Sequence, residues 1–65
     1  MKRETSDGRI VSIRPLSDKE VRERGLHREK EQQGYRPKDI VYEEIDTGET
    51  FIGSGSGRGV VESFP

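Results

Sequence analysis

The sequence contains no cysteine, no tryptophan and a single histidine, His27. The absence of cysteine excludes disulfide bonds, and one histidine without cysteine argues against a structural zinc site. A domain of 65 residues has a small core that supplies only about 3–5 kcal/mol, so such domains usually need added stabilisation. With disulfides and zinc set aside, we expect oligomerisation or binding to a larger partner to supply it.

Apolar residues are also scarce, at 26% of the chain, and aromatic residues make up 6%. No apolar stretch is long enough for a signal peptide or a membrane span, so we expect a soluble, cytoplasmic protein. A core this small can hardly enclose a ligand pocket of ~300 Å³ or more. We therefore predict a non-enzymatic protein with no cofactor, no metal and no small-molecule substrate.

Charged residues, in contrast, are abundant at 38%, with 12 basic and 13 acidic residues and a net charge of −1. The front of the chain is weakly basic and the rear is acidic. This composition suits a small regulatory protein of phage or bacterial origin. It predicts a protein that works through its surface.

The first half of the chain predicts a tail, a strand and a helix. Residues 1–8 are polar and predict a flexible N-terminal tail, leaving residues 9–65 as a single domain. Residues 9–14 are rich in β-branched side chains and lie between Gly8 and Pro15, which indicates a strand.

A helix over residues 18–24 is predicted by signals at both ends. Ser17 and Glu20 have the spacing of a capping box, and Gly25 is placed to end the helix in the left-handed conformation. The alternative is one helix over residues 18–33 that contains Gly25. Residues 27–33 have no apolar side chain, so a helix there is expected to fray.

The second half predicts a hairpin, a loop and a last strand. Residues 39–52 form the hairpin, with a turn at Asp46, Thr47 and Gly48. Residues 53–59 are a Gly/Ser-rich loop, and a short strand follows it. The predicted core is Val11, Ile13, Leu16, Val21, Leu26, Val41, Ile45, Phe51, Val60 and Phe64.

These elements predict an α+β fold. The expected architecture is a small antiparallel or mixed sheet of three to four strands with one short helix, in the order β-α-β-β-β. The alternative is that the same strands bend into a small SH3-like open barrel.

Two features that can carry chemistry fail on closer inspection. The glycine-rich loop has neither the G-x-G-x-x-G spacing nor the lysine of a phosphate-binding loop. Glu23, His27 and Glu31 share a face only if the helix is continuous, and three ligands on one exposed helix do not enclose a metal ion.

Two kinds of binding surface remain. A protein surface on a larger partner, or on a second copy of this chain, is predicted to use Leu26, Tyr35 and Tyr42 as exposed anchors. Nucleic-acid binding is the alternative, although interleaved glutamates and a pI of about 5.8 weigh against it. Its candidate residues are Arg9, Arg14, Arg22, Arg24, Arg28, Arg36 and Arg58. We also expect local helix ion pairs, Asp18–Arg22 and Glu20–Arg24.

Overall fold

Five antiparallel strands form one curled sheet, and two short helices pack against it. The computed structural model describes residues 1–54 and 59–64. In chain order, the elements are β1 (Lys2–Glu4), β2 (Ile10–Pro15), α1 (Asp18–Glu23), α2 (Leu26–Gln32), β3 (Asp39–Glu44), β4 (Thr50–Ser54) and β5 (Glu62–Ser63).

The sheet curls into a half-barrel, and the curl brings its two edge strands close to each other. Its strand order is β1-β2-β3-β4-β5, so each strand pairs with its neighbour in sequence. Thr5 bridges Val61 in parallel, and the amide of Val61 donates to the carbonyl of Glu4. The α+β class is confirmed. The predicted strand count and the order β-α-β-β-β are wrong, because β1 and α2 were not expected.

The segment predicted as a flexible tail, residues 1–8, contains β1, which pairs along β2. Arg3 is only 7% exposed; its Nη2 donates to the Gly59 carbonyl at 3.0 Å, and its guanidinium lies 5.7 Å from the centre of the Tyr42 ring. The prediction failed because backbone pairing and a buried arginine hold this segment, and neither produces an apolar pattern.

Both faces of the sheet carry buried apolar side chains, in two clusters. Consecutive residues on a strand point to opposite faces, so Val41 and Tyr42 belong to different clusters. The inner cluster contains Ile13, Tyr42, Phe51 and Val61, and the outer cluster contains Leu16, Val41, Ile52 and Phe64. Val21, Leu26 and Tyr35 cover the outer cluster.

Two predicted core residues are exposed, Ile45 at 59% and Val60 at 48%. The amide of Glu44 donates to the carbonyl of Glu49, so the turn begins at Ile45 and this residue leaves the strand face. Val61 is buried in place of Val60, because a shift of one residue moves a side chain to the other face. The core also contains Ile52, which was not expected.

The helix signals are confirmed at both ends of α1. The Ser17 oxygen accepts from the Glu20 amide, and the Glu20 side chain accepts from the Ser17 amide. Gly25 has a φ of 74°, so the chain turns there and one continuous helix over residues 18–33 is wrong. A second helix, α2, follows where a frayed extension was expected.

The first two residues of the predicted loop over residues 53–59 belong to a strand instead, because β4 continues through Ser54. Residues 55–58 of that prediction lie outside the described residues. A β-carbon on Gly53 would lie 2.9 Å from the Val61 side chain, so only glycine fits this strand position without a shift. Arg58, a candidate nucleic-acid contact, lies outside the described residues.

Replacing Ser17 with alanine should lower the free energy of unfolding by about 0.5–2 kcal/mol, because the Glu20 amide loses its acceptor. Chemical denaturation measures the change. Ser63→Ala, an exposed serine on β5, is the control and should change stability by less than ~0.5 kcal/mol. Equal unfolding curves for Ser17→Ala and the unmodified protein would contradict the cap.

Replacing Gly53 with alanine should cost about 1–3 kcal/mol, since the new methyl group forces the buried, stiff Val61 side chain to move. Thermal or urea unfolding tests this. The double variant Gly53→Ala/Val61→Ala should lose less stability than the sum of the two single variants. Strict additivity would show that the two side chains do not meet.

Candidate binding groove between the helices and the connector

Three of the arginines predicted to contact nucleic acid form ion pairs within the molecule: Arg9, Arg14 and Arg24. Arg14 contacts Glu20 and Glu43, each at 3.0 Å, and Arg24 contacts Glu43 at 2.5 Å. Glu20 belongs to α1 and Glu43 to β3, so this ion-pair network joins the helix to the sheet. The pairs are partly exposed, so each stabilises the fold only weakly.

The expected local pairs Asp18–Arg22 and Glu20–Arg24 do not form among the described residues. Glu20 turns instead to Arg14 of β2, which is close because α1 packs over the sheet. The prediction was based on spacing within the helix. In the folded protein Glu20 pairs with Arg14, which lies outside the helix and six residues earlier in the chain.

The network also changes the protonation of its carboxylates. The Arg14 guanidinium, followed by the Ser17 amide, holds the pKa of Glu20 below its ordinary value. Arg24 has the larger effect on Glu43 and Arg14 the smaller, and both lower its pKa. Both carboxylates therefore stay charged to lower pH in the folded protein than in the unfolded chain.

Arg9 also forms ion pairs, on the face of the sheet that carries the inner cluster. It contacts Asp7 at 3.1 Å and Glu49 at 3.3 Å, and these carboxylates raise its pKa. Arg9, Arg14 and Arg24 therefore point to carboxylates of four different segments, the β1–β2 turn, α1, β3 and the β3–β4 turn. They do not form the open basic face that a nucleic-acid backbone requires.

A groove lies between α1, α2 and the connector over residues 35–37. Its volume is about 540 Å³. This exceeds the size expected from so small a core, but no lining residue is buried, so the groove is open to solvent. Its lining residues are Asp18, Val21, Arg22, His27, Lys30, Glu31, Tyr35 and Pro37.

The apolar part of the groove is held in place by the outer core cluster. The Tyr35 ring meets the Phe64 ring edge-on, with centroids 5.9 Å apart, and its hydroxyl donates to Glu62 at 3.3 Å. Burial, with a smaller contribution from Glu62, raises the pKa of Tyr35. Val21 packs on the same cluster. These contacts hold the Tyr35 side chain in place at the side of the groove.

The three predicted protein-binding anchors have different fates. Tyr35 is half-buried and lines the groove. Leu26 is half-buried against the outer cluster and is not among the residues that line the groove. Tyr42 is only 3% exposed and belongs to the inner cluster. As an exposed anchor it is wrong, because the curl of the sheet buries this face.

The remaining candidate arginines, Arg22, Arg28 and Arg36, are exposed. None of the three forms an ion pair in the described part of the chain. Arg22 lines the groove, whereas Arg28 lies on α2 outside it. Asp18, Lys30 and Pro37 were not predicted as groove residues. Gly25, which separates the two helices, was the signal that could have indicated them.

The groove brings His27 together with two carboxylates, Asp18 and Glu31. Glu23 is not among its lining residues, because the left-handed Gly25 separates α1 from α2. Within residues 1–54 and 59–64, no group of three or more such side chains is arranged to hold a metal ion.

A second surface is apolar but small. Ile10 of β2 is 67% exposed. Ile45, which is 59% exposed, lies in the turn after β3, where its amide donates to the carbonyl of Ser12 in β2. A stable interface buries roughly 800 Å² on each partner. Two isoleucines supply only a fraction of that area, so the groove is the stronger candidate.

Comparisons with known proteins leave the geometry as the only guide to function: no family model matches the chain, and neither a curated protein nor a solved structure matches it. In the described residues, no helix has the length and apolar character needed to cross a membrane.

Acid should destabilise the fold through the ion-pair network. A depressed carboxylate pKa adds stability above the unfolded pKa, and that stability is lost as pH falls through the folded pKa. We expect the temperature at the midpoint of unfolding to decrease as the pH is lowered from about 5 to about 2. The decrease should be smaller in Arg14→Gln. Lys19→Gln, which removes only the exposed Lys19–Glu23 pair at 3.9 Å, should follow the unmodified protein. Parallel curves for all three proteins would refute the role of Arg14.

Proposed function

We propose that this chain is a small non-enzymatic binding module that acts in the cytoplasm and holds a segment of a larger protein in the groove. One observation carries the proposal. In this groove, fixed apolar side chains, Val21 and Tyr35, lie beside charged side chains in an open concavity of about 540 Å³. Concave surfaces that combine apolar side chains with polar groups are typical binding sites.

The openness of the groove favours binding over catalysis. A reaction needs charged groups in a water-excluded setting, where their electrostatic effects are large. His27, Asp18 and Glu31 are all exposed to solvent. A protein segment can instead lie across such a groove and bury its apolar side chains there. A module that only binds can regulate the partner by covering part of its surface.

The thin core gives a second reason. With 26% hydrophobic residues, the domain gains stability from a partner that buries Tyr35 and Val21 further, because binding to the folded state stabilises it. A second copy of this chain is the other partner that satisfies this argument.

Nucleic-acid binding is the alternative proposal. Arg22, Arg28 and Arg36 are exposed on the helix side of the molecule, and this favours it. The pairing of Arg9, Arg14 and Arg24 with carboxylates disfavours it, as does the presence of Asp18 and Glu31 in the groove.

A finer proposal concerns architecture. We propose that the half-barrel is of the SH3-like open type, as five sequential antiparallel strands curl until β1 meets β5. The two helices between β2 and β3 are an addition to that arrangement.

A site-specific cross-linking experiment tests the groove. Glu31 is replaced by p-benzoylphenylalanine, and the purified protein is irradiated in a lysate of its host. The matched control carries the same group in place of Asp46, an exposed residue in the β3–β4 turn. We expect a defined protein adduct from position 31 and none from position 46, with the partner identified by mass spectrometry.

Each other result has a meaning. An adduct of twice the chain mass identifies a second copy as the partner. Equal labelling at both positions, or none at position 31, counts against the groove.

Salt-dependent binding tests the alternative. Fluorescence anisotropy with labelled single-stranded and double-stranded oligonucleotides should show no binding at low salt if the protein-binding proposal is right. Affinity that falls steeply with salt, and that falls further in Arg28→Gln and Arg36→Gln, would favour nucleic acid.

A further inference from the structure

We propose that residues 17–34, which contain α1 and α2, form a flap that opens as a unit while the sheet stays folded. Ion pairs between this flap and the strands act as a latch, so ionic strength sets how often the flap opens. Opening removes the groove and uncovers the outer cluster. This conformational device goes beyond the proposed function and does not depend on what the groove binds.

The flap has little apolar burial of its own. Both helices lie within the described residues, and neither contains a buried residue. Val21 and Leu26 pack against the outer cluster, but each is only half-buried there. Helices of six and seven residues are marginal in water without tertiary contacts. Because segments with few buried apolar contacts open at the lowest free energy, the flap should open before the sheet does.

The sheet has a core that does not depend on the flap. The inner cluster contains Ile13, Tyr42, Phe51 and Val61, and none of these residues belongs to the flap. The strands on either side of the flap, β2 and β3, pair directly with each other. An open flap is therefore a long loop between two paired strands. The entropy cost of closing a loop grows only slowly with its length, so the strands can remain paired.

Two ion pairs join the flap to the strands in the described part of the chain. Glu20 contacts Arg14 of β2 at 3.0 Å, and Arg24 contacts Glu43 of β3 at 2.5 Å. Among the same residues, no backbone hydrogen bond runs from either helix to a strand. The four side chains are partly exposed to solvent. These two pairs are the latch.

Salt should weaken this latch more than it weakens the rest of the fold. The distance over which exposed charges interact falls from about 30 Å at ~0.01 M salt to about 3 Å at ~1 M. Apolar contacts are not screened in this way, so the inner cluster keeps its packing. A molecule with an open flap lacks the groove, because α1 and α2 supply most of its lining. Ionic strength thus controls the fraction of molecules that carry the groove.

Thiol labelling tests the flap, since the chain has no cysteine of its own. Val41→Cys places one thiol in the outer cluster, and Val61→Cys places one in the inner cluster as the matched control. The reagent is methyl methanethiosulfonate, which is uncharged. Urea unfolding of each variant gives the labelling rate that global unfolding alone allows. We expect position 41 to react at least about ten-fold faster than that rate, and position 61 to react no faster than it.

Salt and one substitution test the latch. Raising sodium chloride from ~0.01 M to ~1 M should speed labelling at position 41 about two- to ten-fold, the effect of losing two exposed ion pairs. Adding Arg24→Gln to Val41→Cys should speed labelling at low salt and reduce the response to salt. Arg28→Gln is the same change on α2, at an arginine that forms no ion pair in the described residues. It is the control and should leave the labelling rate unchanged.

Amide hydrogen exchange in the unmodified protein is a second measurement that needs no cysteine. The amides of Arg24 and Gln33 each donate within a helix, one in α1 and one in α2. If the flap opens as a unit, their exchange should share one dependence on urea, weaker than that of the β3 amides. Separate fraying of each helix exposes little surface and gives almost no dependence on urea.

Three results would overturn the proposal. The first is labelling at position 41 that is no faster than global unfolding allows. The second is exchange of the helix amides that does not respond to urea. Either of these removes the flap. The third, equal labelling rates in the Arg24→Gln and Arg28→Gln variants, removes the latch. The absence of a cross-linked partner bears on the proposed function alone, so the two proposals fail separately.

Discussion

The burial of both faces of the β3–β4 hairpin is the constraint on which the rest of the structure depends. Val41 pairs with Ile52 and Tyr42 pairs with Phe51, so neighbouring residues on each strand belong to opposite clusters. A sheet with two apolar faces must cover both. The inner face is covered when the sheet curls on itself, and the outer face is covered by the helices. A chain with few apolar residues thus builds two small clusters around one hairpin.

Some arginines of the chain stabilise the fold, either inside the curled sheet or in ion pairs between α1 and the sheet. Three others remain exposed on one surface. Arg3 lies inside the curl over Tyr42, while Arg14 and Arg24 attach α1 to the sheet through Glu20 and Glu43. With the pairing of Arg9, these uses commit three of the seven arginines that were predicted to contact nucleic acid. Arg22, Arg28 and Arg36, which form no ion pair in the described part of the chain, lie on the helix side, where the chain turns at Gly25 beside the groove. The binding proposals follow from this division of the charges.

The local parts of the fold were predictable because their signals lie within a few residues. The capping box at Ser17 and the helix end at Gly25 depend on contacts over at most four positions. The hairpin between β3 and β4 was also predictable, although its turn begins one residue earlier than expected. Of the candidate site, Tyr35 and Arg22 were named from sequence and do line the groove. They were named for different partners, and nothing in the pattern placed them together.

The sequence by itself determined the helix ends, the central hairpin and the scarcity of apolar residues, because composition and short-range hydrogen bonding are local. Only the tertiary structure decided that Lys2–Glu4 forms a strand, that Tyr42 is buried, and that Glu20 pairs with Arg14. The physical reason is the same in each case. These residues are fixed by contacts with other elements of the fold, Lys2–Glu4 with β2 and Glu20 with Arg14 of β2. Contacts between elements are specified by the curl of the sheet and the packing of the helices on it.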